Sequence, residues 1–180
     1  MLSLRVSPEI VLRTYSEEDA RELFDVVNEN RGHLRPWLIW VDATLKEAHS
    51  LEYIRAARQE QYEQRSMAMG IFQNDQLIGG IGMHHWDPRL KKAQIGYWLA
   101  AYACGKGIMQ QCSMHFIHYL FTQLGLNKIE LQYLPANVRS ASVAKRLGFT
   151  TEGILRDSFL MNGVLQDVVI TGLLQREWKR

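Results

Sequence analysis

The chain has 180 residues, of which 47% are hydrophobic and 22% charged, as is usual for a folded domain with its own core. Its 21 basic and 19 acidic residues give a formal charge of +2, a balance that argues against direct nucleic-acid binding. Two cysteines, Cys104 and Cys112, are too few for a disulfide framework or a four-ligand zinc site, so we expect no metal centre. The sequence also lacks a signal-type apolar core and any run of about 18 apolar residues. We therefore expect one domain over residues 1–180, cytoplasmic and without membrane contact.

The first third of the chain predicts one strand and two helices. Residues 10–13 have the composition of a strand, and Ser16, followed by three acidic residues, predicts the start of a helix. Residues 30–42 interrupt the pattern with Gly and Pro, although they carry Trp37 and Trp40. Thr44 is expected to cap a second helix that runs to about residue 65.

The middle of the chain predicts three strands and a long helix. Residues 67–72 and 76–83 read as strands joined by a hairpin at Asn74-Asp75, and residues 93–99 as a third strand. Apolar residues recur every four positions over residues 108–124, which predicts a helix that Gly125 ends.

The last third predicts a strand, a short helix and a hairpin. Residues 128–133 form the strand and 137–147 the helix; two strands, from 149 to 160 and from 164 to 174, then flank Asn162-Gly163, a strong hairpin signal. The resulting order, β-α-α-β-β-β-α-β-α-β-β, predicts a mixed α/β architecture with helices on the faces of a sheet.

The segment most informative about function is IGYWLAAYACGKGIM, residues 95–109, which places a Gly-Lys-Gly turn between a strand and a helix. Free backbone N–H groups at a helix N-terminus bind phosphate, and glycine lets the backbone approach it closely. A nucleotide P-loop is excluded because Gly107 is followed by Ile-Met-Gln, without the required Lys-Ser/Thr. A dinucleotide fingerprint lacks its third glycine, since Gln110 stands there. The remaining use of such a turn is the pyrophosphate of coenzyme A.

At this point the chain resembles the GNAT superfamily of acyl-CoA-dependent N-acyltransferases. Residues 104–109 are similar to its motif Q/R-x-x-G-x-G/A, with Gly107 as the central glycine and with Cys104 and Met109 departing from the commonest form. Residues 137–149 are similar to the next motif, N-x-x-S-x-x-V-x-x-x-L-G-F. The resemblance implies a GNAT-type α/β fold with an α+β mixed sheet, about seven strands and flanking helices.

Further patterns resemble one branch, the N-acetyltransferases of ribosomal-protein alanine and serine termini. They are N-x-x-x-L-x-x-W-L-x-W at residues 30–40, IGYWL before GKGIM, and a tail matched at residues 155–167. The resemblance implies an acetyl-CoA-dependent enzyme that acetylates a primary amine by direct attack in a ternary complex. The implied acceptor is the α-amine of a ribosomal protein, and a homo-oligomer is possible within the branch.

The resemblance also implies roles for individual residues. Pantetheine pairs with the strand edge that splays from residues 128–133, a backbone N–H near Tyr97 or Trp98 polarises the thioester, and the turn amides hold the pyrophosphate. The implied cofactor-binding residues are Tyr97, Trp98, Leu99, Gly105, Lys106, Gly107, Ile108, Met109 and Asn137. Ser140 is the candidate catalytic acid for the leaving sulfur; its alternative is a hydroxyl that only caps a helix start.

The sequence alone leaves several other residue roles, and the function itself, with alternatives. The general base is His84, His85, Glu130 or a water molecule, and at most one of the two adjacent histidines faces the cleft. Trp37 and Trp40 either cover the acceptor or cap the core, and Cys104 is interpreted as structural, because direct transfer needs no acyl-enzyme. A small amine such as a polyamine or an antibiotic, and a non-catalytic acyl-CoA sensor, are the alternative functions.

Overall fold

The computed structural model describes residues 2–179. It contains a sheet of eight strands in the order β1-β2-β3-β4-β5-β6-β8-β7. The strands are β1 (Ser3–Arg5), β2 (Ile10–Thr14), β3 (Met67–Gln73), β4 (Gln76–Asp87), β5 (Lys92–Leu99), β6 (Lys128–Tyr133), β7 (Thr150–Met161) and β8 (Val164–Leu174). The helices are α1 (Ala20–Glu29), α2 (Arg31–Leu34), α3 (Glu47–Tyr62), α4 (Ile108–Thr122) and α5 (Val138–Leu147). The mixed α/β class is confirmed.

The structure differs from the prediction in three local details. The sheet has eight strands rather than about seven, because β1 spans three residues, too few for an alternating pattern to show. The break expected at residues 30–42 contains the single-turn helix α2 and a 3-10 turn, Ile39–Asp42. Helix α3 begins after Lys46 rather than Thr44, whose hydroxyl instead donates to the carbonyl of Trp40.

Both predicted hairpins are confirmed, and for the predicted reason. Asn74 and Asp75 have φ of 50° and 62°, and Asn162 and Gly163 have φ of 50° and 78°. Two consecutive residues with positive φ form the type I′ turn, whose twist matches that of the flanking strands.

Two apolar cores lie on the two faces of the sheet. On one face, α4 buries four of the residues that its four-residue period predicted: Ile108, Cys112, Phe116 and Leu120. The fifth, Leu124, lies just beyond the end of the helix and packs against the cluster partly buried. Met67 and Met69 of β3 and Met83 of β4 are buried in the same cluster. On the other face, α1 and α3 pack against the sheet through a second cluster that contains Leu23, Val27 and Ile54. Within residues 2–179, no helix is both long and apolar enough to cross a membrane.

The sheet opens between β5 and β6, as the family resemblance implied. These parallel strands are paired from Lys92–Lys128 to Ile95–Leu131, and the pairing stops there. Beyond that point β5 continues beside β4 as far as Leu99, while β6 continues beside β8 as far as Tyr133. The last four residues of β5 therefore have one edge without a β6 partner.

Candidate active site

The Gly-Lys-Gly turn forms the N-terminus of α4. Gly105 and Gly107 have φ of 78° and 76°, in the left-handed region where a Cβ is strained, and Gly107 is the residue that precedes the helix. No side chain caps this helix start, so its first N–H groups are available to an external acceptor. Ile108 and Met109 bury their side chains in the core, which fixes the orientation of these N–H groups. The turn therefore has the geometry of an anion site.

A cavity of about 750 Å³ extends from this turn into the opening between β5 and β6; we call it the glycine-turn cavity. Among the residues that line it are Tyr97, Trp98, Leu99, Gly105, Gly107, Ile108, Met109, Asn137 and Ser140. Arg139 and Arg146 also line it, and no Asp or Glu of residues 2–179 does. The cavity is thus positive, and it combines a phosphate-binding turn with an open strand edge. Of the predicted set, only Lys106 is not in its lining; this residue is exposed on the turn.

Ser140 lies at the start of α5, but its hydroxyl does not cap the helix. That function belongs to Asn137, whose Oδ1 accepts from the backbone N–H of Ser140 at 3.1 Å. The Ser140 hydroxyl instead donates to the Tyr97 hydroxyl at 3.1 Å. Burial raises the pKa of Tyr97 to about 12, although this hydrogen bond opposes the shift. Tyr97 therefore stays protonated at neutral pH and can itself donate to Ser140.

A second cavity, of about 770 Å³, lies between the sheet and α3; we call it the aromatic cavity. Its lining includes the rings of Tyr15, Trp40, Tyr53 and Trp98. The carboxylates of Glu52 and Glu60 line it too, and within residues 2–179 no Lys or Arg does. The two cavities share Leu38, Gly96, Tyr97 and Trp98, so they meet at the open end of β5. The chain thus carries two adjoining cavities lined by charges of opposite sign.

The three candidate bases have different surroundings. The Glu130 carboxylate lies 3.2 Å from Lys92 Nζ and 3.3 Å from Lys128 Nζ, in the paired part of β6 and outside both cavities. His85 is exposed, at an irregularity of β4 where its φ is 52°. His84 lines the aromatic cavity beside Gly96, where the two cavities meet. Burial, and then the neighbouring His85, lower the pKa of His84, so it is neutral at pH 7.

The two tryptophans of residues 30–42 belong to different cavities. Trp37 lines the glycine-turn cavity and Trp40 the aromatic cavity, and neither is buried in the core. Trp40 packs edge-on against Trp98, with ring centroids 6.1 Å apart. The contacts favour the interpretation of a cavity wall over that of a core cap. Asn30 fixes the start of this segment, since its Oδ1 accepts from the backbone N–H of Ala101 at 2.8 Å.

Sequence reasoning missed a histidine beside Cys104. The His33 ring lies in the lining of the glycine-turn cavity, with Nε2 3.6 Å from Cys104 Sγ. Burial, and then the charge of Arg139, lower the pKa of His33. The Cys104 thiol donates to the Ala100 carbonyl at 3.5 Å. These residues are 71 positions apart, and only the tertiary fold brings them together.

Glycines of β4 were also missed, although a strand with three of them gave a signal. A Cβ built on Gly80 would lie 2.6 Å from Trp98 Nε1 and 2.9 Å from the Tyr15 hydroxyl. On Gly82 it would lie 2.5 Å from the Met67 carbonyl oxygen. These glycines form the floor of the aromatic cavity and leave room for the rings above it.

Comparison with known proteins agrees with this geometry. Residues 9–150 match the model of the acetyltransferase (GNAT) domain, which covers most of the chain. The chain belongs to the GNAT acetyltransferase family. It is accordingly an N-acetyltransferase, and its acyl donor is acetyl-CoA. The features found here fit that donor, because the glycine turn and the two arginines suit its phosphates and the open edge of β5 suits an extended pantetheine chain.

Three proteins are similar to this acetyltransferase in sequence or structure. "Putative ribosomal N-acetyltransferase YdaF" of Bacillus subtilis is 32% identical over 180 residues, 99% of this chain and 98% of the relative. The ribosomal-protein-serine acetyltransferase of Escherichia coli is 28% identical, over 92% of this chain and 93% of the relative. The solved structure of the microcin C7 self-immunity acetyltransferase MccE, in complex with acetyl-CoA and AMP, is 26% identical and superposes with a TM-score of 0.91 over 95% of each chain.

Proposed function

We propose that the enzyme transfers the acetyl group of acetyl-CoA to the α-amine of a protein N-terminus, a ribosomal protein being the favoured acceptor. The observation that carries the proposal is the pair of oppositely charged cavities that meet at Gly96, Tyr97 and Trp98. A polyanionic donor suits the cavity lined by arginines, and an ammonium acceptor suits the cavity lined by carboxylates. The relatives named for ribosomal proteins match more than nine-tenths of the chain, which supports one catalytic domain over residues 1–180 and action in the cytoplasm.

The donor supplies an acetyl group activated as a thioester; the remaining steps belong to the protein. The backbone N–H groups of Gly105, Lys106, Gly107, Ile108 and Met109 would hold the pyrophosphate, and Asn137 would contact pantetheine. Ala100 donates its N–H to Ile78 of β4, and strand hydrogen bonds alternate between the two sides. Tyr97 and Leu99 therefore direct their N–H groups toward the opening, whereas Trp98 directs its N–H toward β4. We accordingly assign polarisation of the thioester carbonyl to the N–H of Tyr97.

His84 is the residue best placed to accept a proton from the amine. It lines the acceptor-side cavity where the two cavities meet, and its lowered pKa keeps the imidazole neutral at pH 7. Glu130 lies in an ion-pair network with Lys92 and Lys128 and outside both cavities, so it does not reach the acceptor amine. A neutral imidazole accepts one proton as the amine attacks the thioester carbon directly.

Ser140 is assigned the proton donation to the departing sulfur. Its backbone N–H donates to the side chain of Asn137 in the helix cap. Its hydroxyl takes no part in that cap and donates to the Tyr97 hydroxyl. As Ser140 donates to the thiolate, the protonated Tyr97 hydroxyl donates to Ser140. Before attack, the bound ammonium loses one proton to solvent. In the net reaction the neutral amine nitrogen forms a bond to the acetyl carbon and loses one proton to His84, the carbon–sulfur bond breaks, and sulfur takes one proton from Ser140. Solvent then returns a proton to the Ser140–Tyr97 pair and removes the one held by His84, which restores the resting enzyme.

The test is thiol release from acetyl-CoA with ribosomal N-terminal peptides, polyamines and aminoglycosides as acceptors. We expect release with peptides that have a free α-amine, and an acetyl group on that amine by mass spectrometry. The same peptides with a blocked N-terminus and an internal lysine are the matched control. Turnover of polyamines or aminoglycosides alone would contradict a protein acceptor, and release with no acceptor of the panel would contradict the whole proposal.

A small-molecule acceptor is the second candidate. The structural likeness to the microcin C7 self-immunity acetyltransferase favours it. Two observations argue against a polycationic acceptor. Glu52 and Glu60 are the only two described carboxylates that line the aromatic cavity, and Glu60 already accepts a hydrogen bond from the Ser66 hydroxyl at 2.7 Å. A monoamine therefore fits this cavity better than a polyamine.

A further inference from the structure

The aromatic cavity is larger and more apolar than an alanine or serine N-terminus requires. Its volume of about 770 Å³ is similar to that of the cavity assigned to acetyl-CoA. Four rings stand around it in two edge-on pairs: Tyr15 with Tyr53 at 6.2 Å, and Trp40 with Trp98 at 6.1 Å. Tyr53 and Trp40 are 50% and 38% exposed, and a methyl or hydroxymethyl side chain would cover little of these two rings, so the walls are suited to an aromatic group.

A hydroxyl group without a partner lies in the same cavity. Ser50 of α3 lines it, is only 2% exposed, and has no hydrogen-bond partner for its Oγ within the described structure. A buried hydroxyl without a partner is unfavourable, and such groups in folded proteins call for a compensating contact. Because Ser50 belongs to the lining of the cavity, a ligand atom that donates or accepts a hydrogen bond can provide that contact.

The floor of the cavity supports the same conclusion. Gly80, Gly82 and Gly96 contribute no side chains there, and a Cβ on either of the first two would collide with neighbouring atoms. The space above the sheet is therefore kept open beside His84, where the reacting amine is expected. An acceptor can place its amine at His84 and extend an attached ring along the aromatic walls toward α3.

We propose that the aromatic cavity selects acceptor amines that bear an aromatic ring with a hydroxyl group, and that Ser50 hydrogen-bonds that hydroxyl. A protein N-terminus that begins with tyrosine is the simplest acceptor of this kind. The inference rests on the proposed function in one respect: it takes the aromatic cavity to be the acceptor site. It departs from an alanine or serine terminus as the preferred substrate.

The experiment compares four peptides that differ only in the first residue, which is Tyr, Phe, Ala or Ser. With saturating acetyl-CoA, we expect kcat/KM for the Tyr peptide to exceed that for the Ala and Ser peptides on the order of 10- to 100-fold. The Tyr peptide should exceed the Phe peptide about fivefold, as one neutral hydrogen bond predicts. Tyramine and phenethylamine, run in parallel, test the same hydroxyl without a peptide.

Two variants test whether Ser50 causes the preference for the Tyr peptide over the Phe peptide. Ser50→Ala should remove the preference for Tyr over Phe and leave kcat/KM for the Phe peptide unchanged. Ser113→Ala is the matched control, because Ser113 is also a buried helical serine without a partner, but in α4 and outside both cavities. It should leave the discrimination intact.

The outcomes separate this inference from the proposed function. Acetylation of the Ala and Ser peptides as fast as the Tyr peptide overturns the inference and keeps the peptide acceptor. Turnover of tyramine over phenethylamine, with no peptide acetylated, supports the inference and overturns the protein acceptor. An equal loss on both aromatic substrates in Ser50→Ala overturns the hydrogen bond assigned to Ser50.

Discussion

The hydrogen bond between Ser140 and Tyr97 permits a quantitative test of the proposed proton path. The two hydroxyl oxygens lie 3.1 Å apart where the two cavities meet, and both groups are neutral at pH 7. A neutral hydrogen bond contributes about 1 kcal/mol, and about 1.4 kcal/mol corresponds to a tenfold change in rate. Tyr97→Phe should therefore lower kcat about fivefold, with KM for acetyl-CoA unchanged, because the cofactor contact of Tyr97 is its backbone N–H.

Ser140→Ala removes the assigned acid itself. We expect kcat to fall on the order of 100-fold, the lower range for a general acid, again with little change in KM for acetyl-CoA. If Tyr97 acts only through Ser140, the double variant should be no slower than Ser140→Ala, which gives a coupling energy of about 1 kcal/mol. Single-turnover thiol release is the suitable assay, because it excludes product release from the measured rate.

A control variant and two contrary results complete the test of this proton path. Tyr119→Phe changes another partly buried tyrosine, on α4 and outside both cavities, and should leave kcat unchanged. Full activity of Ser140→Ala would remove Ser140 from the mechanism. Independent, multiplying losses in the double variant would refute the relay, while leaving Ser140 as the acid.

Three further predictions concern the cofactor turn, the base and the fold. Gly107→Glu should abolish acetyl-CoA binding by calorimetry, since it adds a Cβ and a negative charge at φ 76°, while the circular dichroism spectrum stays native. His84→Gln should lower kcat/KM on the order of 100-fold and remove an acid limb that lies below pH 6.5, because burial lowers the pKa of this base; His85→Gln should keep that limb. Asp19→Ala should reduce the free energy of unfolding by about 2 kcal/mol in urea, because it removes the bidentate hydrogen bonds at 2.7 Å to Arg13, whose side chain is partly exposed. Burial alone would raise the pKa of Asp19, but hydrogen bonds, chiefly from Arg13, hold it below its ordinary value, so the difference from the wild type should disappear as pH falls through that pKa.

Much of the fold could be predicted because its signals are local. The four-residue period of α4, the Asn-Gly turn before β8 and the glycines at the start of α4 depend on backbone geometry and on one apolar face. The misses were also local in origin. Strand β1 has three residues, and Thr44, a suitable cap by composition, bonds the Trp40 carbonyl because the preceding 3-10 turn brings that oxygen within reach.

The glycine turn and its place at the start of α4 could be predicted in the same way, because the turn is one continuous segment of chain. The acceptor side could not. Ser50, Trp98 and His84 come from α3, β5 and β4, and no spacing in the sequence relates them. Sequence likewise left three candidate bases, since a strand pattern does not tell which side chain meets a cavity and which meets a lysine pair.

The sequence by itself determined the family, the mixed α/β sheet and the glycine turn that suits a phosphate, because each follows from neighbouring residues. Only the tertiary structure decided that the separation of β5 and β6 begins after Ile95, that Ser140 reaches Tyr97 rather than its own helix, and that two cavities of opposite charge meet there. Those features arise from packing between segments that are distant in the chain. The energy of such contacts depends on the relative three-dimensional positions of the segments, which a local sequence pattern does not specify.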